Sequence, residues 1–273
     1  MGEGPLPAWS LPPDAIDRIR LEIEWPDRVT RSWALEGATG ENVRVCILDS
    51  GVEPNHRRVG AVQSAVAVSL DEGGEPVVRD DSEGDTCGHG TACAGIIRAI
   101  APKCEIHSVR VLGAGFTGSG PVLLGGLRWA VEQGFDVINM SLSTTKRQFA
   151  EVLHELADTA YFKRTILVAS AHNMPVESYP WRFSSVISVG SHSEPESLAF
   201  YYNPDPPVEF FARGVDVELA WMGGGTIRAT GNSFATPHMS GICALVRSKH
   251  RELTPFQLKS VLHLIADNVG GRT

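Results

Sequence analysis

Five short apolar runs are spread along the chain: VRVCIL at 43–48, IHSVRV at 106–111, DVINM at 136–140, TILVAS at 165–170 and SVISVG at 185–190. Their apolar positions are nearly continuous, as in strands covered on both faces. Between them the spacing changes to that of helices. One helix is predicted from Val122 to Gln133, closed by Gly134, and another from Ala150 to Lys163 with Val152, Leu153, Leu156 and Ala160 on one face. The clearest covers 255–268: Thr254 caps it, Pro255 suits its first turn, and Gln257 completes a capping box ahead of Leu258, Val261, Leu262 and Ile265. Alternation of this kind predicts an α/β fold, a mainly parallel central sheet with helices on both faces, whose ligands bind beyond the carboxyl ends of the strands.

Residues 1–38 read differently. Pro5, Pro7, Pro12 and Pro13 precede a mixed charged and apolar stretch, which predicts an extended arm with at most one short helix. No Gly/Ser-rich or Pro-rich linker and no internal repeat divides the remainder, so 39–273 is expected to be one domain. With 42% apolar residues it can bury a sizeable core.

The charge balance removes several functions. Lys and Arg number 24 against 32 for Asp and Glu, a net charge of −8, which disfavours a nucleic-acid binder or a polybasic membrane-surface protein. No apolar run approaches the ~18 residues of a membrane span, and no basic segment followed by an apolar one opens the sequence. Gly2 lacks the Ser or Thr four residues on that myristoylation requires; Leu6 stands there. Cytoplasmic location is the resulting expectation. The five cysteines, 46, 87, 93, 104 and 243, are odd in number and lack zinc-site spacing, so reduced thiols are expected. Asp80, Asp81, Glu83 and Asp85 read as a solvated acidic loop.

Three patches place a reactive side chain among small residues: ILDSG, GHGTACAG and GNSFATPHMSG. Asp49 emerges at the carboxyl end of the first strand. Gly88 and Gly90 flank His89 and allow close approach of backbone. Ser233 stands just before an apolar helix with Pro237 expected in its first turn. Singly, each has a plain structural use as a turn former, a core histidine or a helix cap. Together, Asp, His and Ser are the parts of a hydrolytic triad.

With ILDSGVEPNH, GHGTACAGII and GNSFATPHMSG in place, the chain resembles the subtilisin-like serine peptidases, and the similarity continues through VRVLGAGFTGSG, GLRWAVEQGFDVINMSL, ILVASAHN, YPWRFSSVISVG and LTPFQLKSVL, roughly residues 33 to 268. The resemblance implies Ser233 as nucleophile, His89 as general base and acid, Asp49 as its orienter, and Asn173 with the Ser233 N–H as the oxyanion hole. It implies a peptide or protein substrate paired as an added strand between the segment beginning at Gly115 and the segment Ser141, Leu142, Ser143. Cys93 falls where some thiol-containing members carry cysteine; its own reading is a small buried residue. Trp181 follows YP where relatives often have glycine, so its indole is expected to narrow the specificity pocket. His172 replaces a usual glycine beside Asn173.

Other departures shape further expectations. The stretch from His89 to Pro102 lacks the insertion that wraps calcium in many relatives, so no cofactor, no high-affinity calcium site and no obligatory metal is expected, with a weaker calcium site left open. The Pro-containing arm offers a short inhibitory extension, and the short end after the last helix leaves surface for an oligomer or protein partner. Peptide-bond hydrolysis through an acyl-enzyme is the leading reading, with a non-secreted processing or maturation role as one setting for it. A transpeptidase is the rival within enzymes, and a catalytically silent peptide-binding pseudopeptidase the rival outside them.

Overall fold

The computed structural model describes residues 8–12, 15 and 25–269. The strands are β1 (Arg44–Asp49), β2 (Ser64–Leu70), β3 (Pro76–Asp80), β4 (Glu105–Arg110), β5 (Val137–Met140), β6 (Ile166–Ser170), β7 (Ile187–His192), β8 (Phe200–Tyr202), β9 (Phe210–Arg213), β10 (Val217–Trp221) and β11 (Gly225–Ala229). The helices are α1 (Arg31–Leu35), α2 (His89–Ile100), α3 (Gly120–Gln133), α4 (Ala150–Phe162), α5 (Asn232–Lys249) and α6 (Pro255–Ile265).

Nine strands form one sheet in the order β3-β2-β4-β1-β5-β6-β7-β9-β8. The interior pairs are parallel, and the edge pairs β2 with β3 and β9 with β8 are antiparallel. β1 lies between β4 and β5, so the chain winds outward from it in both directions. Asp49, its last residue, therefore sits where flanking loops part and leave a crevice. The α/β architecture matches the sequence expectation, and all five apolar runs are strands within two residues of their expected ends.

Two apolar layers clothe the sheet. One packs α2, α5 and α6 against one face through residues such as Val45, Ile47, Ile97, Ile242 and Leu258. The other packs α3 and α4 on the opposite face with Leu48, Leu127, Ile138 and Leu153. Each fully buried aliphatic side chain contributes about 1.5–3 kcal/mol. α2 and α5 approach closely because Gly241 has no side chain: a Cβ there would lie 2.8 Å from Ile100 Cβ. That close crossing holds the two helices that carry His89 and Ser233 side by side.

Helix ends follow their caps. Ser119 Oγ accepts from Val122 N, Gly134 closes α3 with a positive φ of 66°, and Thr254 and Gln257 form the expected capping box. α6 ends at Ile265, three residues short of expectation. Asp267 is drawn away to accept from Phe200 N at 3.0 Å and Arg31 Nη1 at 2.8 Å. Within the described part of the arm, α1 packs on the domain. Its Ala34 is buried in the core, and Trp33 stacks on His250 with centroids 4.0 Å apart. The remainder of the arm lies largely outside the described residues.

The acidic stretch departs from expectation. Val77 and Val78 make β3 a strand, and the Asp81 carboxylate is buried against Arg110 with Nη2–Oδ1 at 3.0 Å. Asp85 is likewise engaged, as described below. Charge density alone points to a solvated loop, yet three of these four acids have structural partners, since Glu83 also meets Arg110 at 3.1 Å.

Candidate active site

Asp49 is fully buried at the end of β1, and His89, 8% exposed, is the first residue of α2. His89 Nδ1 lies 2.8 and 2.9 Å from the two Asp49 oxygens. The contact depends on glycines. A Cβ on Gly90 would stand 2.0 Å from Gly51 O, so backbone touches backbone where the two segments meet. Burial disfavours a charged imidazolium, but the Asp49 carboxylate outweighs it and holds His89 well above its ordinary value of 6.5.

Ser233 lies within the first turn of α5, which begins two residues earlier than the sequence suggested. Pro237 is consequently inside the helix and not in its first turn. Having no N–H, it leaves the Ser233 carbonyl without its usual partner, and the Cys93 thiol approaches that oxygen at 3.8 Å. Cys93 Sγ also lies 3.3 Å from Ser141 Oγ; burial pushes its pKa up, so it is a neutral packing group under the site.

The loop after β6 carries Asn173. Its Oδ1 accepts from Asn232 N at 2.9 Å, while Asn232 donates to the carbonyls of Ala171 and His172, both at 3.3 Å. Asn232 thus ties the Asn173 loop to the start of the serine helix. A Cβ at Gly231 would be 3.2 Å from Ser233 Oγ and 3.7 Å from Asn173 Nδ2, so these two atoms converge over that glycine.

His89, Ser233 and Asn173 line one cleft of about 350 Å³, with Ser141, Leu142 and Ser143 on one wall and Leu112 and Phe116 on the other. His89 and Asp49 are hydrogen-bonded to each other. No hydrogen bond joins His89 to Ser233 in this arrangement. Gly115 is not a lining residue. Its positive φ of 75° shapes the turn that presents Phe116, whose ring meets His89 edge-on at 5.7 Å.

Trp181 requires correction. It packs in the core beside β6 and β7, its Nε1 donating to Ser178 Oγ at 2.7 Å, and faces a neighbouring groove with Val208 and Phe211. The indole therefore does not occupy the cleft, because the apolar layer under the sheet takes it. Sequence reading also missed Asn232 and Asp85. The signal for Asp85 was its place four residues before His89.

Among the described residues, one group of three offers metal-type ligand atoms within 4.8 Å of one another: Asp49, His89 and Cys93. Its His nitrogen and carboxylate are spent on each other, and its thiol is held protonated by burial.

Comparison with known proteins gives the chain its family. A profile described as the Subtilase family matches residues 40–272. The minor extracellular protease Epr of Bacillus subtilis (strain 168) is 32% identical over 259 residues, covering 90% of this chain and 38% of its own length. Subtilisin DY of Bacillus licheniformis is 31% identical over 250 residues, covering 86% of this chain and 87% of itself. A crystal structure of a cold adapted subtilisin-like serine proteinase superposes with a TM-score of 0.67 at 28% identity, covering 87% of this chain and 88% of that one. The chain belongs to the subtilase family of serine peptidases.

Proposed function

We propose that the chain is an endopeptidase that hydrolyses peptide bonds through Ser233, His89 and Asp49 by way of an acyl-enzyme. The observation that carries this reading is the doubly contacted Asp49–His89 pair, buried at the back of a cleft that Ser233 and Asn173 share. With its Nδ1–H directed at the carboxylate, the imidazole keeps the Nε2 lone pair for a proton. Ser233 Oγ attacks the peptide carbonyl as His89 takes its proton. The oxyanion is met by Asn173 Nδ2 and the Ser233 N–H at the positive end of α5, and His89 returns the proton to the leaving amine. Water then repeats the sequence on the ester.

The open walls at Ser141–Ser143 and at Leu112 and Phe116 suit an extended peptide running through. A fluorophosphonate probe tests the reading: it labels the wild type and not Ser233→Ala, and peptide cleavage disappears with it. Failure to label folded wild-type protein would favour the silent binding module; amide products formed from added amines would favour transpeptidation.

Two further features belong to this reading. The five cysteines are buried and free, which supports work in a reducing compartment. No obligatory calcium is proposed, because the carbonyls of Val59, Ala61, Pro102 and Cys104, which converge at the end of α2, accept from the Arg98 guanidinium.

A further inference from the structure

The Asp49–His89 contact joins residues 40 positions apart, and something must hold their two backbones in register. The segment at Gly84 and Asp85 is wedged against the junction: a Cβ on Gly51 would lie 2.3 Å from Gly84 O and 2.9 Å from Asp85 Cα. From there the Asp85 carboxylate gathers five donors. Its Oδ1 accepts from Ser50 Oγ at 2.8 Å, Cys87 N at 3.0 Å and Gly88 N at 2.8 Å. Its Oδ2 accepts from Thr91 N at 2.8 Å and from the Thr91 hydroxyl at 2.5 Å. Ser50 Oγ in turn accepts from Gly90 N at 3.0 Å, and Ser50 N donates to Asp49 Oδ1 at 2.8 Å.

These bonds close a circuit from the N-terminus of α2 through Asp85 and Ser50 to Asp49 and back to His89. The other helices need no such device: Thr30, Ser119 and Thr254 each cap with one backbone N–H. Asp85 lies outside the lining of the cleft, so it touches no substrate.

We propose that Asp85 is a positioning residue for catalysis, holding Ser50 and the first turn of α2 on one carboxylate so that His89 stays aligned with Asp49. The proposal rests on the peptidase reading of that site. A carboxylate is required because Asn would present an NH2 to the Thr91 N–H.

Asp85→Asn, Ser50→Ala and the double variant test it. Ser50→Ala cuts the tie to β1 while leaving the Asp85 cap on α2. Readouts are kcat and KM on a flexible peptide, the thermal midpoint, and the downfield proton resonance of the His89 Nδ1–H bond without substrate. Both single variants are expected to stay folded, lose about ten- to a hundredfold in kcat with KM within about twofold, and broaden or lose the resonance. The double variant should lose no more than the worse single one. A folded Ser50→Ala with wild-type kcat and resonance would overturn the proposal, as would multiplicative losses in the double variant. If Asp85→Asn does not fold, Ser50→Ala decides. If the wild type cleaves no peptide, the peptidase reading fails, and the resonance still decides alignment.

Discussion

The two halves of the site are built in opposite ways. The acid–base half is interior: Asp49 is fully buried, His89 nearly so, and glycine contacts and a hydrogen-bonded circuit fix them. The nucleophile half is open: Ser233 is half-buried, Asn173 is exposed, and Ser233 makes no hydrogen bond to His89. In the proposed mechanism this difference would complete the proton relay in advance and leave the alcohol and its oxyanion donor to be drawn into line by a bound peptide. Changes in the first half should damage a finished device, and changes in the second should show chiefly during turnover.

The largest effect is expected from Asp49→Asn. The amide presents a donor to Nδ1, favours the wrong tautomer, and should lower kcat by about 10⁴ with little change in KM, the size known for this substitution in serine peptidases. The pH profile sharpens the point. Because Asp49 holds the imidazole above 6.5, the acid limb of kcat/KM in the wild type should lie above that value. In Asp49→Asn burial acts without its counter-charge, and the limb should move down. A loss under tenfold with an unmoved limb would show that the locked half is mere scaffolding.

Asn173→Ala addresses the open half. It should cost about 10²–10³ in kcat, as loss of such a donor does in subtilisin, and leave the thermal midpoint nearly unchanged because the residue is exposed. A large drop in stability would mean that its bond to Asn232 N holds the loop as part of the fold, and the contrast between halves would weaken.

Legibility in the sequence divides along physical lines. The five runs that became β1, β4, β5, β6 and β7 were visible because strands covered on both faces must be apolar throughout. The strands β2, β3, β8 and β9 lie at the sheet's edges or next to them, and β10 and β11 form a separate pair, places where half-exposed positions dilute the pattern. Asp49, His89 and Ser233 stood out through their small neighbours, which the structure explains by contacts at Gly51, Gly90 and Gly231. The packing of Trp181 and the role of Asp85 were not legible, since which side of a loop an indole faces, or whether an acid finds donors, depends on chain brought from elsewhere.

Deeper in α5 lies His238, buried and donating from Nδ1 to Phe234 O at 2.8 Å. Burial, aided by Arg213 and His192, pushes its pKa from 6.5 down to about 4. A histidine lowered on folding gives stability that is present above 6.5 and lost as pH falls from there to about 4. The amount is about 3 kcal/mol. His89, raised on folding, works in the opposite sense, favouring the fold at low pH. Urea midpoints between pH 7 and 4 should therefore fall in the wild type and fall less in His238→Gln. An unchanged slope would place the acid sensitivity of the serine helix elsewhere.

The smallest effect tests the far end of the histidine helix. Arg98 is half-buried at the last turn of α2, and its guanidinium donates to the carbonyls of Val59 at 2.8 Å, Ala61 at 3.2 Å, Pro102 at 3.0 Å and Cys104 at 2.6 Å. A fixed cation there does what a bound ion would do, joining the loop after β1 to the segment entering β4 and favouring the negative end of the helix. Arg98→Ala should cost about 2 kcal/mol, read as a lower urea midpoint, and kcat should follow only the folded fraction, because the circuit at His89 lies more than two turns away. Chelator should not shift the wild-type midpoint. A drop on chelation would show that a metal shares this work, and a fall in kcat beyond the loss of folded protein would show that the locked half extends the whole length of α2.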